Sequence, residues 1–319
     1  MHLRSNNHQL PWLLLQNDKS GDRYLYNLFI AQILKFRLPP LFNDLTCIGS
    51  SHGWLFFKHE GDFSLSVVNP FSGATICLPP LDLTEYGKRY FIARPVVVKL
   101  SRDPCLGSFE VVAKTFGAVA HLKYGDGLWT YSIKMYKVRL RAITFHKGRI
   151  LGTELGDIVS LDVISGMDII FKIEVAAPLR LLEGLGNGGY GCFVEATNGD
   201  LLMVCTSEEE MAKEDAFKIY KLKIDNSNEP NEFILIHNLG GDSLFLEDTC
   251  RDHTFVSVLA SNFPQCRPNS SYHAHSKYYN LKEIEAFNLE DGSVSQTLLP
   301  KGFFKAFFSS WVVPSMTFS

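Results

Sequence analysis

Gly184, Gly186 and Gly189 have the Gly-x-Gly-x-x-Gly spacing of a turn that binds the pyrophosphate of a dinucleotide. Such a turn needs a strand before it and a helix after it, because the pyrophosphate rests on the helix N-terminus. Here the next segment, residues 191–197 (GCFVEAT), has the pattern of a strand. We therefore interpret the glycines as a flexible connection between strands, and we predict no bound cofactor.

His273 and His275 have the spacing of two metal ligands, and Cys266 lies nearby in the sequence. On a strand, residues two positions apart point to the same side, so both imidazoles can face one ion. A zinc site needs a third and a fourth ligand, and no spacing in the chain supplies them. His253 joins the set only if the fold brings it close. We interpret the histidines as solvent-facing and predict no metal site.

The sequence contains no signature of a nucleophilic enzyme. There is no Gly-x-Ser-x-Gly elbow, and no cysteine–histidine pair has a recognisable pattern. The seven cysteines are odd in number, include no Cys-x-x-Cys pair, and lie mostly in strand-like runs. A free cysteine in such a run behaves as a small buried hydrophobe. We predict no catalytic residue and a protein that is not an enzyme.

Three turn signatures indicate the elements that organise the chain. Asn69-x-x-Ser72-Gly73, Asp162-x-x-Ser165-Gly166 and Asn288-x-x-Asp291-Gly292 each lie between two apolar, strand-like runs. Asn and Asp cap turns through the backbone, and glycine takes the positive φ that closes a hairpin. The offsets, 162 − 69 = 93 and 288 − 162 = 126, are near two and three repeats of about 40–50 residues. Four-stranded repeats of this length predict a β-propeller.

The pattern of strands and turns predicts an all-β, six-bladed propeller. Blade 2 is the clearest, with strands at 46–51, 53–59, 63–69 and 74–79. Blade 1 lacks an inner strand, and the 306–314 segment (AFFSSWVVP) is expected to supply it and to close the ring. Residues 11–319 are expected to form a single domain after a disordered segment at 1–10. Seven blades is the alternative, because residues 240–300 are long for one blade.

Composition and charge exclude several classes of partner. The net charge of −3 leaves no electrostatic footprint for nucleic acid or an anionic membrane surface. No apolar run approaches the roughly 18–20 residues that span a bilayer, and the apolar run near Trp12 is short for a signal peptide. We expect a soluble protein of the cytoplasm or nucleus with no nucleic-acid or membrane partner.

Loops on one face of the propeller are the predicted binding surface. Loops between second and third strands share that face with the connections between blades, and long loops on a rigid scaffold commonly carry recognition. Aromatic and arginine side chains are favoured interface anchors. The alternative for the charged run at 208–215 is a solvated loop with no specific role. The candidate partner-binding residues are Tyr86, Lys88, Arg89, Arg139, Glu208, Glu209, Glu210 and Lys213.

Four segments of the chain resemble a large plant family of F-box proteins with a KIB-type, kelch-like propeller. The segments are 51–81 (SHGWLFFKHEGDFSLSVVNPFSGATICLPPL), 193–205 (FVEATNGDLLMVC), 217–225 (FKIYKLKID) and 239–264 (LGGDSLFLEDTCRDHTFVSVLASNFP). The resemblance covers nearly the whole chain from about residue 11 to residue 314. It implies that the propeller selects a protein target, while an F-box docks a ubiquitin-ligase scaffold.

The sequence departs from that family plan at its start. No leucine- and proline-rich helical F-box precedes Trp12, and eleven residues stand before it. We therefore expect non-enzymatic protein recognition, without a ligase link unless another segment or another chain supplies the F-box. Two alternatives stay open. One is a propeller that binds a small ligand or catalyses at its axial channel, and the other is a decoy that protects a ligase target.

Overall fold

The computed structural model describes residues 9–17, 22–35, 45–59, 61–62, 64–81, 97–115, 118–132, 140–154, 157–164, 168–175, 190–206, 217–224, 231–247, 255–274, 283–305 and 310–314. Within these ranges the chain forms 26 strands and two single-turn 3-10 helices, at Pro104–Leu106 and Ala260–Asn262. No helix in this described part is long and apolar enough to cross a membrane. The predicted disordered segment falls mainly on residues 1–8, which lie outside the described residues. Leu10, which follows, is buried in the core.

The described strands form six sheets of four or five strands, arranged as the blades of a ring. Blade 1 contains β1 (Trp12–Asn17), β2 (Arg23–Asn27) and β3 (Gln32–Lys35). Blade 2 contains β4 (Thr46–Ser51), β5 (Trp54–Lys58), β6 (Leu65–Val68) and β7 (Thr75–Cys77). Blade 3 contains β8 (Val97–Leu100), β9 (Glu110–Thr115), β10 (Ala118–Lys123) and β11 (Thr130–Tyr131). Blade 4 contains β12 (Leu140–His146), β13 (Arg149–Glu154), β14 (Asp157–Ile164) and β15 (Asp168–Val175). Blade 5 contains β16 (Tyr190–Glu195), β17 (Leu201–Thr206), β18 (Phe217–Lys223) and β19 (Glu232–Ile236). Blade 6 contains β20 (Asp242–Glu247), β21 (Val256–Leu259), β22 (Ser270–Ala274), β23 (Glu283–Asn288) and β24 (Val294–Leu298), and the chain ends with β25 (Phe303–Lys305) and β26 (Trp311–Val312).

The predicted six blades are confirmed, and blade 6 explains why seven was an alternative. Its sheet has the order β21-β20-β22-β23-β24, so one blade holds five strands in the long 240–300 stretch. The chain enters through β20, forms the innermost strand β21, and returns to pair β22 parallel to β20. The sequence predicted strands at the positions of β20 and β21. It did not predict that β21 lies closer to the centre of the ring than β20.

The ring closes as the sequence predicted. Both C-terminal strands pair antiparallel with β1, with Lys305 opposite Leu15 and Val312 opposite Trp12. The inner strands then touch in ring order, because β26 contacts both β4 of blade 2 and β20 of blade 6. A closed ring leaves no unpaired inner edge between its first and last blades.

Tryptophans fill the space between the blades. Trp54 and Trp129 are buried in the cluster between blades 2 and 3, and Trp311 is buried between blades 6 and 1. Trp12 is half-buried and makes an edge contact with Phe71, with ring centroids 6.2 Å apart. These large side chains pack against neighbouring sheets, which a tapered interblade space requires.

The asparagine turn signature recurs between the third and fourth strands of three blades. The side-chain Oδ1 of Asn69 accepts the amides of Phe71 and Ser72, at 2.9 and 3.1 Å. Asn288 caps its turn in the same way, and both asparagines are buried. Asn27 does so in blade 1, where sequence reasoning found no signature because Ala31 stands in place of the glycine.

The hairpin predicted at the Asp162 signature is confirmed, but Asp162 lies within the strand rather than at its end. The strand β14 continues through Asp162 to Ile164, which pairs with Asp168, so the hairpin closes two residues later than the signature indicated. Asp162 is exposed in the strand and pairs with Ile170. Continued pairing of apolar residues across the hairpin outweighed the local capping tendency of the aspartate.

Ala31 provides a test of this turn, because its φ of 50° lies in the left-handed region that favours glycine. We expect Ala31→Gly to raise the free energy of unfolding by about 1 kcal/mol, since it removes that backbone strain. The reverse change at the equivalent position, Gly73→Ala, should lower it by about 1 kcal/mol. Gly73 has φ 76° and open space around the position of a Cβ atom, so the effect there is conformational. Urea unfolding followed by far-UV circular dichroism measures both changes in the free energy of unfolding. If both substitutions change it in the same direction, the two turns are not equivalent.

Candidate recognition surface

The ring has two faces that differ in the connections they carry. The hairpin face carries the turns from first to second strands, such as 52–53 and 147–148, and those from third to fourth strands, such as 69–73 and 288–292. The loop face, on the opposite side, carries the connections from second to third strands and those between blades, except that the connection from blade 5 to blade 6 enters β20 at Asp242 on the hairpin face. The two faces are therefore fixed by strand order alone.

All the predicted partner-binding residues lie outside the described residues. They fall in three segments, namely 82–96 with Tyr86, Lys88 and Arg89, 133–139 with Arg139, and 207–216 with Glu208, Glu209, Glu210 and Lys213. The strands that flank these segments are described, and they end or begin on the loop face. These are the last residues of β7, β11 and β17 and the first residues of β8, β12 and β18.

A buried glutamate anchors blade 4 on the loop-face side. The Glu174 carboxyl group accepts from Arg149, with Nη2 2.6 Å from Oε1, and from the Ser160 hydroxyl at 2.7 Å. Desolvation alone would raise the pKa of Glu174. The hydrogen bonds from Arg149 and Ser160 and the positive charge of Arg149 outweigh it, so the pKa of Glu174 is lowered. The Glu174 backbone carbonyl accepts from Asn231 at 3.2 Å, which links blade 4 to blade 5. The strand β15 is thus held rigidly just before a connection between blades.

A polar network joins blades 5 and 6 on the hairpin face. The Asp242 carboxyl group, 3% exposed, accepts from the Thr197 amide at 2.7 Å and from the Thr197 hydroxyl. It also accepts from the Ser257 hydroxyl at 2.8 Å. The Asp242 carbonyl oxygen accepts from the Asn269 amide at 2.9 Å. Three donors from two blades converge on one side chain, and this arrangement fixes the geometry of the ring.

Titratable groups at the hairpin-face ends of inner strands influence one another electrostatically. His52 is the first residue of the turn between β4 and β5 and has φ 50°. Its side chain is exposed, yet the surrounding protein atoms desolvate the imidazolium and lower the pKa of His52. Asp103 and Glu195 oppose that shift electrostatically, and Glu195 belongs to blade 5, across the ring. Glu195 also lies 3.5 Å from Nδ1 of His146.

The candidate metal ligands make protein contacts where the structure describes them. His273 lies in β22, with Nε2 2.8 Å from the Ser271 hydroxyl. Cys266 is buried in the core between blades 6 and 1, and burial raises the pKa of its thiol. Its two suggested companions, His253 and His275, lie outside the described residues, as do Gly184, Gly186 and Gly189. Over the described ranges, no group of three or more His, Cys, Asp or Glu residues is placed to hold a metal ion.

These features define the molecule as a six-bladed β-propeller that presents two faces of connecting segments around a rigid ring. A model of the KIB1-4 β-propeller family matches residues 25–294 of the chain. The chain belongs to this family, and the resemblance stated from its sequence segments is confirmed.

Solved structures of other proteins are similar to this chain at low scores. They include a chain of a nidogen/laminin complex, with a TM-score of 0.46 and 9% identity over 96% of this chain and 100% of that one. The Cps50 (Swd1) β-propeller domain of Myceliophteria thermophila has a TM-score of 0.46 and 11% identity over 92% and 87%. A luciferin-regenerating enzyme has a TM-score of 0.38 and 9% identity over 97% and 96%. At these scores the likeness adds nothing to the functional argument. A search of curated protein sequences finds no match to the chain.

Proposed function

We propose that this chain is a protein-recognition propeller that binds its partner through the loop face and catalyses no reaction. The observation that carries the proposal is the common position of the strand ends around the three predicted binding segments. A ring closed by β25 and β26 holds those ends in fixed relative positions. Segments that emerge from fixed points on one side of a rigid scaffold can contact a single partner together.

We further propose, from membership of the family, that the partner is a protein selected for ubiquitination when an F-box is joined to this propeller. Without that link, the same binding would shield the partner and lengthen its half-life. The half-life of the recovered partner in cells with and without the chain distinguishes an adaptor from a decoy. Faster turnover in the presence of the chain supports the adaptor role.

The Tyr86→Ala/Arg89→Ala double variant tests the loop face. We expect the tagged wild-type chain to recover a specific protein from its native cells and the double variant to lose most of it, because aromatic and arginine anchors dominate binding energy. Affinity purification with mass spectrometry, followed by a binding titration with the purified partner, gives the measurement. A loss of about 2 kcal/mol, or roughly thirtyfold in Kd, is the expected size.

A matched variant on the hairpin face serves as the control. Arg102 and Leu128 are exposed in blade 3, and Leu128 is 84% exposed in the turn after β10. Arg102→Ala/Leu128→Ala removes one arginine and one large side chain from the opposite side of the ring. Equal recovery by wild type and this control supports the proposal. If Tyr86→Ala/Arg89→Ala and Arg102→Ala/Leu128→Ala recover equal amounts of the partner, the assignment of the binding residues is overturned.

A second candidate function is binding of a small ligand at the hairpin-face mouth of the channel. The lowered pKa of His52, beside charges contributed from across the ring, is the observation that favours it. A ligand of this site would raise the Tm of the wild type and leave the Tm of His52→Ala unchanged. A panel of small acids, amines and sugars tested by thermal shift examines this candidate.

A further inference from the structure

Three side chains that can carry or transfer a proton lie together at the outer edge of blade 2. Cys77 in β7 pairs directly with Ser66 in β6, and Ser66 pairs with Phe57 in β5. Directly paired residues project from the same face of an antiparallel sheet. His59, two positions after Phe57, points to the same side. The sheet register therefore brings a thiol, a hydroxyl and an imidazole to one face.

These side chains form a connected chain of contacts. Nε2 of His59 lies 2.8 Å from Oγ of Ser66, and that oxygen lies 3.9 Å from Sγ of Cys77. Ser66 is 1% exposed, whereas Cys77 is exposed at the surface. A buried hydroxyl thus connects a solvent-facing thiol to an imidazole, and through it the base lies within hydrogen-bonded reach of the nucleophile.

The other cysteines of the described part have different surroundings. Among those residues Cys77 is the exposed cysteine, whereas Cys47, Cys192, Cys205 and Cys266 are buried. Burial raises the pKa of Cys205 and of Cys266, which holds those thiols in the unreactive protonated form. Cys105 is half-buried, and desolvation together with the Asp103 charge raises the pKa of its thiol too.

A positive charge lies on the same face of the blade. The guanidinium carbon of Arg23 is 5.3 Å from the centroid of the Phe57 ring, and Phe57 is the cross-strand neighbour of Ser66. Reactive cysteines lie in electropositive, partly exposed surroundings, where a thiolate and an anionic reagent are both favoured. Arg23 of blade 1 places such a charge beside Phe57, two strands away from Cys77.

We propose that Cys77 is a site of mixed-disulfide formation with low-molecular-weight disulfides, assisted by Ser66 and His59. The Cys77 thiol gives its proton to Ser66 Oγ while Ser66 gives its own proton to Nε2 of His59. The thiolate then attacks one sulfur of the disulfide, a new S–S bond forms, and the original S–S bond breaks. The departing thiolate takes the electron pair and then a proton from the His59 imidazolium. Ser66 and His59 are positioning residues for the proton, and the disulfide is the oxidant.

The hydroxyl of Ser66 is tested with two variants of matched shape. Ser66→Thr keeps a hydroxyl in the buried strand position, and Ser66→Val replaces it with a methyl group. The full-length chain is treated with oxidised glutathione at pH 7, and the adduct at each cysteine is followed by peptide mass mapping. We expect Cys77 to react first in wild type and in Ser66→Thr, and Ser66→Val to react about tenfold more slowly at Cys77.

A second pH separates assistance from a structural effect. At about pH 10 an unassisted thiol is already ionised, so wild type, Ser66→Val and His59→Gln should react at Cys77 at similar rates. A variant that is slow at both pH values has an altered fold, and His59→Gln at a half-buried surface position then serves as the second test at pH 7. Equal rates for Ser66→Thr and Ser66→Val at pH 7, or earlier reaction at a buried cysteine, would overturn the proposal.

Discussion

Replacing Trp311 with alanine will lower the free energy of unfolding by about 3–5 kcal/mol, among the largest effects of any single substitution in this chain. Trp311 is fully buried between the first and last blades, and its ring meets Phe245 edge-on at 5.0 Å. Its indole N–H donates to the Leu246 carbonyl of blade 6 at 3.0 Å. Its own carbonyl accepts from the Ser50 hydroxyl of blade 2 at 2.8 Å. One residue therefore connects three blades at the closure.

Trp12 provides the matched control, because it is a tryptophan in the partner strand of the same pairing. Trp12 is half-buried, and among the described residues its aromatic ring contact is with Phe71. We expect Trp12→Ala to lower the free energy of unfolding by about 1 kcal/mol, and Trp311→Phe to lie between the two alanine variants. Urea unfolding followed by far-UV circular dichroism gives the three values. Equal losses for Trp12→Ala and Trp311→Ala would contradict the larger role assigned to the contacts of Trp311.

Ring closure is the part of the fold that sequence reasoning predicted best. Blade 1 had three strands and no inner one, and the apolar 306–314 segment had no other sheet to join. An unpaired inner edge is costly, so these two deficits could be matched from the amino-acid sequence alone. The structure places β26 inside that segment and a further pairing strand, β25, just before it, which the sequence did not predict.

Turn chemistry explains both a failure and an omission of the sequence analysis. Asp162 has the residue type of a cap, yet β14 and β15 continue to pair beyond it. Asn27 is a cap, yet Ala31 hid the signature because the turn tolerates a left-handed alanine. A local capping preference is worth about 1 kcal/mol. The pairing of the neighbouring strands therefore decides where each turn falls. A search for an asparagine at the end of each third strand, without requiring the glycine, would have found Asn27.

The candidate sites show a different limit of sequence reasoning. The residues predicted to bind a partner were chosen because they lie in long connections, and Tyr86, Arg89 and Arg139 stay predictions. The His59–Ser66–Cys77 set depends on strand register, because Ser66 and Cys77 lie in β6 and β7 and His59 directly follows β5. Nothing in their sequence spacing indicates contact. The Asp242 network likewise joins residues from two blades. Thr197 and Asp242 are 45 positions apart in the sequence.

Removing the Asp242 side chain is the second change with a large expected effect. Asp242→Ala leaves the Thr197 amide, the Thr197 hydroxyl and the Ser257 hydroxyl without their acceptor inside the protein. A buried donor that loses its partner costs about 1–3 kcal/mol. Ser257 is buried, whereas Thr197 is exposed and water can replace part of what its donors lose. We therefore expect a total loss of about 2–3 kcal/mol in the free energy of unfolding. Asp242→Asn keeps the shape but turns one acceptor into a donor, and its loss should be smaller.

Asp62 provides the comparison that isolates the joining of blades from hydrogen bonding as such. Its carboxyl group also accepts a backbone amide and a hydroxyl, both from Ser64, at 3.0 and 2.7 Å. These partners belong to its own exposed turn, so Asp62→Ala should change the free energy of unfolding by about 0.5 kcal/mol or less. Urea unfolding of Asp242→Ala, Asp242→Asn and Asp62→Ala under one set of conditions gives the comparison. If Asp242→Ala is no more destabilising than Asp62→Ala, the contact between blades 5 and 6 depends on apolar packing and the polar network contributes nothing to it.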